Sequence, residues 1–206
     1  MFNLTILTLV LWTIFAFICG ALPFAWWIGR MAGVEIRTVA DGNPGATNVF
    51  RAAGIGWGII AICAEFSKAA IPVGLAYYIF GWDGYAIVPV ALAPTAGHIF
   101  SPLLGGNGGK GLATMLGAWI GLTQWVMPVI LLIPITIIQL VFKPKEPLWA
   151  VLPSVAAGFI WLLGFDWNAV FIVVLVCQLG VILYTHLSDK PDLITNNHSN
   201  HQASAV

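Results

Sequence analysis

Long apolar runs, nearly empty of charge, constrain this chain more than any other feature. They cover about 4–28, 52–80, 85–103, 111–142, 148–164 and 168–186. A helix that crosses the hydrocarbon of a bilayer needs about 20 apolar residues, within a range of roughly 17–25. The runs therefore read as transmembrane helices. Composition closes the alternatives: 8% of the residues are charged and 60% are hydrophobic. A soluble domain carries about a quarter charged residues. That excludes a soluble enzyme, a disordered chain and a nucleic-acid binder. Eight Lys+Arg balance eight Asp+Glu, so net charge is silent on partners and only the placement of charge is informative.

Two runs are too long for one ordinary span. The run 111–142 contains a polar, glycine-bearing break at Gly121, Thr123 and Gln124, which divides it into a short helix and a longer one. The run 52–80 has no loop signal and stays one crossing, bent between Glu65 and Pro72. The expected fold is an all-α integral membrane protein of seven transmembrane helices. Lys and Arg of short loops favour the cytoplasmic side. With the N-terminus outside, Arg30, Arg37, Arg51, Lys110, Lys143, Lys145 and Lys190 all fall inside, and only Lys68 does not. Merging 111–142 into one span moves Lys143, Lys145 and Lys190 outside, which favours seven spans and a cytoplasmic C-terminus. The membrane domain is 1–188, and 189–206 reads as a polar, disordered tail.

The N-terminal run lacks a basic leader and continues to Trp27, so it reads as a retained span, not a signal peptide. Cys19, Cys63 and Cys177 lie in apolar runs at spacings that give neither a disulfide framework nor a zinc pattern, and they read as buried small hydrophobes. His198 and His201 lack a supporting ligand cluster, so no metal is expected. Trp82, Trp149 and Trp167 read as interface anchors and Trp12 as deeper.

Two loops on the inside carry the chemistry. The first is Ala40-Asp41-Gly42-Asn43-Pro44-Gly45-Ala46-Thr47-Asn48, followed by Arg51. The second runs from Gly97-His98-Ile99-Phe100-Ser101-Pro102 to Gly105-Gly106-Asn107-Gly108-Gly109-Lys110-Gly111. Glycines allow successive N–H groups to face one concavity, and such a nest binds anions. The second loop feeds a helix start at Gly111 and Leu112, whose free N–H groups and dipole favour an anion again. Lys110 adds a charge there, and Arg51 offers a planar fork for phosphate or carboxylate. Simple chain reversal is the competing reading of these glycines. The pattern is not a Walker A loop, since the glycine spacing before Lys110 differs and no Ser or Thr follows it directly. Glu65 and Lys68 sit in a span at i, i+3, on one face, where they can pair. That pair is either structural or functional, and so is His98 beside the glycine loop.

These residues together resemble one family, the bacterial acyl-phosphate:glycerol-3-phosphate acyltransferases (PlsY). The string 42–51 is similar to its first motif, 97–114 to its second, and Gly20 to Arg30 to its first-helix signature. The resemblance implies transfer of a fatty acyl group from acyl phosphate to glycerol 3-phosphate, giving lysophosphatidic acid and phosphate, without a cofactor. It also implies a bacterial inner membrane location, with the polar loops facing the cytoplasm and membrane lipid as a partner. On this analogy His98, Lys110 and Arg51 are catalytic. Asp41, Gly42, Asn43, Thr47, Asn48, Glu65, Lys68, Ser101, Gly106, Gly108, Gly109 and Gly111 form the substrate and phosphate site.

The chain departs from the family pattern at Asp41, where the family has serine, and at Glu65, where it has aspartate. After His186 the third motif dissolves. These departures motivate a second reading: a catalytically lapsed relative that serves as a structural or lipid-binding subunit among other membrane subunits. A secondary transporter for an anion is the weaker third, since no inverted repeat is visible.

Overall fold

A computed structural model of the chain describes residues 5–142, 148–166 and 168–188. Lys143 and Lys145, Trp167, Lys190 and the tail 189–206 lie outside the described residues. All regular structure among the described residues is helical: α1 (Ile6–Ala21), α2 (Phe24–Met31), α3 (Ala46–Ala53), α4 (Ile55–Gly74), α5 (Ile87–Ile99), α6 (Leu112–Thr123), α7 (Val126–Val141), α8 (Leu148–Gly164) and α9 (Ala169–Ser188). Among the described residues, three helical stretches are long and apolar enough to cross a bilayer: Ile6–Met31, Ile55–Ile79 and Gly84–Leu104. The shorter α6 to α9 are apolar as well. At 1.5 Å per residue α6 is only about 18 Å long, well short of a bilayer core of about 30 Å.

Side-chain distribution is that of a protein solvated by lipid. Along α1 the inward residues are small, Ala16, Gly20 and Ala21, while Leu7, Leu11, Ile14 and Ile18 point outward. Glu65, Lys68, His98, Asn48 and Gln178 are buried instead. In water this would be inside out; in hydrocarbon it is the arrangement that costs least. Small inward residues let backbones meet. A Cβ on Gly97 would strike the Phe17 carbonyl of α1, and one on Gly20 the Pro94 backbone of α5. Gly117 meets the Phe66 backbone in the same way, which brings α6 against α4. The main core is filled by Met115, Trp119 and Leu122 from α6, with Met127, Leu131, Leu162 and Leu175.

Four expectations change here. The first apolar run is not one helix, because it breaks at Leu22–Pro23. A residue before proline is pushed out of the helical region, and Leu22 is extended at φ −64°, ψ 120°. The first inside loop, Ala40 to Asn48 with Arg51 after it, is not only a loop, since α3 starts in it at Ala46. Cys63 is exposed on α4, and Cys19 and Cys177 are half-buried, so the cysteines are not all core residues. Trp82 does lie between the stretches Ile55–Ile79 and Gly84–Leu104, but it is buried against Trp12 and Phe80 and does not face outward as an anchor. The division of 111–142 is where the sequence places it: α6 stops at Thr123, and Gln124 takes φ +56°.

Candidate active site

The break at Leu22–Pro23 exposes backbone groups inside the bundle, and buried charges use them. Ala25 near the start of α2 donates its N–H to Glu65 Oε1 at 3.0 Å. Lys68 Nζ donates to the Leu22 carbonyl at 2.9 Å. Ser101 donates its hydroxyl to the Ala21 carbonyl at 2.6 Å. One turn apart on α4, Glu65 Oε2 and Lys68 Nζ are 2.6 Å apart with both side chains 1% exposed. Lys68 Nζ is also 2.8 Å from His98 Nδ1 on α5, and that nitrogen is 3.2 Å from Glu65 Oε2. Thr114 of α6 adds a long hydroxyl contact, 3.5 Å, to the same oxygen. Removing ions from water costs several kcal/mol each, recovered only with good geometry and further hydrogen bonds. Here α2, α4, α5 and α6 each supply part of that compensation.

Above this centre lies a cavity of about 490 Å³, within the usual range for ligand sites. Its polar wall includes Asp41, Asn43, Thr47, Asn48, Arg51, Glu65, His98 and Lys110, and its apolar wall Phe66, Leu116, Leu132 and Ile135. Gly111, Leu112 and Ala113 bring the start of α6 to it. Gly111 is left-handed at φ +80° and caps α6 without a side-chain bond. The first intrahelical bond runs from Met115 N to Gly111 O, so the N–H groups before it lack helical partners.

Asp41 organises the mouth of the cavity. Its Oδ2 accepts from Lys110 Nζ at 3.0 Å, and its Oδ1 from Asn48 Nδ2 at 3.0 Å and from the Asn43 N–H at 3.3 Å. Asn48 also donates to the Val39 and Asn43 carbonyls, each at 2.9 Å. Its Oδ1 accepts from Arg51 Nη1 at 3.2 Å. One carboxylate thus reaches both cations, Lys110 directly and Arg51 through Asn48. Partial burial pushes the Asp41 carboxyl up, but the Lys110 hydrogen bond, the Asn48 amide and the Lys110 charge together hold it below the ordinary carboxylate range.

The structure therefore brings Arg51, His98, Lys110, Asp41, Asn43, Thr47, Asn48, Glu65 and Gly111 to one cavity. Lys68 and Ser101 lie behind its wall, bonded to the α1–α2 break. Gly42, Gly106, Gly108 and Gly109 shape the loops and are not lining residues. Gly108 and Gly109 pack on His98: a Cβ on Gly108 would strike the His98 carbonyl, and one on Gly109 its Nε2. Gln139 of α7 lines the cavity and was not singled out from the sequence. A polar residue inside an apolar span was the available signal.

An all-helical, membrane-embedded fold with a polar cavity above buried charges defines the class: a multi-pass membrane protein with an internal site. The glycerol-3-phosphate acyltransferase family model matches residues 10–196, and the chain belongs to that family. A relative from Endomicrobium trichonymphae, a glycerol-3-phosphate acyltransferase, is 33% identical over 92% of this chain and 94% of its own length. One of the same description from Aquifex aeolicus (strain VF5) is 32% identical over 88% and 93%. The crystal structure of PlsY (YgiH), an integral membrane glycerol 3-phosphate acyltransferase, in its glycerol 3-phosphate form superposes with a TM-score of 0.77 at 28% identity, covering 92% of this chain and 93% of that one. Its lysophosphatidic acid form gives 0.74 at 27% identity over the same shares.

Proposed function

We propose that this chain acylates glycerol 3-phosphate and that its acyl donor is an acyl phosphate. The observation that carries the reading is convergence. Arg51, Lys110, Asn43 and the start of α6 meet at one cavity whose other wall is apolar. Both proposed substrates are phosphates and one has a long hydrocarbon tail, so each kind of wall has a ligand part to bind. Lys110 and the α6 N–H groups hold one phosphate, and Arg51 with Asn43 the other polar head. Asp41, Thr47, Asn48 and Glu65 complete the polar wall, and the glycines Gly42, Gly106, Gly108, Gly109 and Gly111 set the loop paths around it.

The reaction is the attack of the glycerol 1-hydroxyl oxygen on the acyl carbonyl. The carbon–oxygen bond of the mixed anhydride breaks, and phosphate departs with the electron pair. The hydroxyl proton passes to a phosphate oxygen. Phosphate is a good leaving group, so positioning and charge stabilisation supply most of the help needed.

The reading includes a seven-crossing topology with the N-terminus outside, in a bacterial inner membrane. What supports it is the bias of Lys and Arg to one set of loops. Residues 1–188 form the membrane domain and 189–206 a polar tail. Family membership favours the enzyme over a lapsed structural or lipid-binding subunit of a larger membrane complex.

The test is an assay of purified protein in detergent with labelled glycerol 3-phosphate and, separately, a long-chain acyl phosphate, an acyl-CoA or an acyl carrier protein. Transfer from acyl phosphate alone is expected. Transfer only from another donor overturns the donor assignment, and no transfer from any donor overturns the enzyme.

A further inference from the structure

We propose that Lys68 locks His98 in the tautomer with its proton on Nε2, so that His98 presents the cavity with a hydrogen-bond donor and not a base. The inference follows from counting protons around one ammonium group. Lys68 Nζ has three N–H bonds and no acceptor capacity. Three atoms surround it: Glu65 Oε2 at 2.6 Å, His98 Nδ1 at 2.8 Å and the Leu22 carbonyl at 2.9 Å. Two of these are acceptors by nature. The third bond is made only if Nδ1 carries a lone pair.

With Lys68 as the ammonium, the other protonation states of the ring fit these distances less well. A proton on Nδ1 would face a Lys68 proton across 2.8 Å and leave that ammonium one bond short in a site 1% exposed. A doubly protonated ring does the same and sets a second cation beside a single carboxylate. Glu65 Oε2 can accept a second bond, but it lies farther from Nδ1, 3.2 Å, than Lys68 Nζ does, 2.8 Å, so the shorter contact decides the ring's proton. With Nδ1 accepting, the ring proton of neutral histidine belongs to Nε2.

His98 lines the cavity, and its Nε2 lies on the side of the ring next to Gly109. His98 is 8% exposed. A Cβ on Gly109 would strike Nε2, and the same point is 3.2 Å from Asn43 Oδ1. Among the described residues no group accepts from Nε2. The N–H therefore waits for an oxygen of the ligand, phosphoryl or acyl carbonyl. That last clause rests on the proposed function; the tautomer does not. Glu65 and Lys68 are positioning residues: Glu65 holds the ammonium, and the ammonium holds the ring.

Nitrogen NMR of protein labelled at histidine, in micelles at neutral pH, tests the tautomer without turnover. His98 is assigned by the signals lost in His98→Gln. A pyridine-type Nδ1 and a pyrrole-type Nε2 are expected, and the reverse pattern or a cationic ring overturns the proposal. Lys68→Met is expected to move the proton to Nδ1, which then donates to Glu65. If that variant does not fold, the wild-type spectrum still decides. With activity as the readout, His98→Ala is expected to lower kcat by about 10²–10³, the usual loss for one oxyanion donor. His98→Gln, which keeps an N–H near Nε2, is expected to recover at least tenfold over Ala. Equal loss in both variants overturns the donor role. Absence of any turnover in the wild type would count against the proposed function and leave the tautomer result intact.

Discussion

Asp41 holds Lys110 at 3.0 Å across the mouth of the cavity, so a phosphate that uses Lys110 competes with a carboxylate of the same chain. Exposed pairs of this kind are worth about 0.2–1 kcal/mol. Asp41→Asn is therefore expected to strengthen binding of glycerol 3-phosphate or inorganic phosphate by up to about fivefold. Titration calorimetry on the purified protein checks it. Weaker phosphate binding in the variant contradicts a competing role for Asp41.

The same carboxylate makes the mouth sensitive to acid. Its folded value lies below the ordinary carboxylate range, so its stabilising contribution is fully present above that range and lost as pH falls through the folded value. The Asn43 amide, whose N–H bonds Asp41, is expected to lose exchange protection, relative to its intrinsic rate at each pH, more steeply at low pH in the wild type than in Asp41→Asn. Parallel profiles would show that Asp41 does not order this turn.

Glu65→Gln leaves Lys68 buried without its carboxylate and is expected to cost about 3–5 kcal/mol. The double change Glu65→Leu with Lys68→Met removes both charges and is expected to cost much less than the two single changes combined. Unfolding in mixed micelles provides the cycle. Additive losses would mean that the pair has no mutual dependence.

Helix contact predicts a contrast between two glycines. Gly97→Ala forces a methyl into the Phe17 carbonyl and is expected to destabilise by about 1–3 kcal/mol. Gly56→Ala has nothing within 4 Å and sits in α4, so it is expected to be neutral or to gain about 0.5–1 kcal/mol. Similar Tm shifts for both would refute the α1–α5 approach.

What the sequence revealed and what it hid have physical reasons. The Gln124 break, the start of α6 after Gly111 and the Glu65–Lys68 pairing depend on neighbours in the chain, and each is where local rules place it. The convergence of Asp41, Asn48 and Arg51 was also near at hand, since they lie within eleven consecutive positions. Depth was hidden. Periodicity puts Lys68 on the face of Glu65 but cannot say that its ammonium also reaches the Leu22 carbonyl. The Leu22–Pro23 break carried a legible proline signal, yet its use, carbonyls for Lys68 and Ser101, depends on helices more than forty residues away in sequence. Trp82 and Gln139 were misjudged or missed for that reason: neighbours from distant helices, not local hydropathy, decide whether an aromatic or an amide faces lipid, core or cavity.

The central claim is that Arg51 and Lys110 serve one phosphate-handling site for acyl transfer. Its most direct test is the rate of lysophosphatidic acid formation from acyl phosphate and labelled glycerol 3-phosphate by wild type, Arg51→Ala and Lys110→Ala, each shown to be folded by its Tm. The account predicts transfer by the wild type and a loss of at least 10²-fold in each variant, the scale of a lost charge-stabilising contact. Transfer that survives in both folded variants would contradict it.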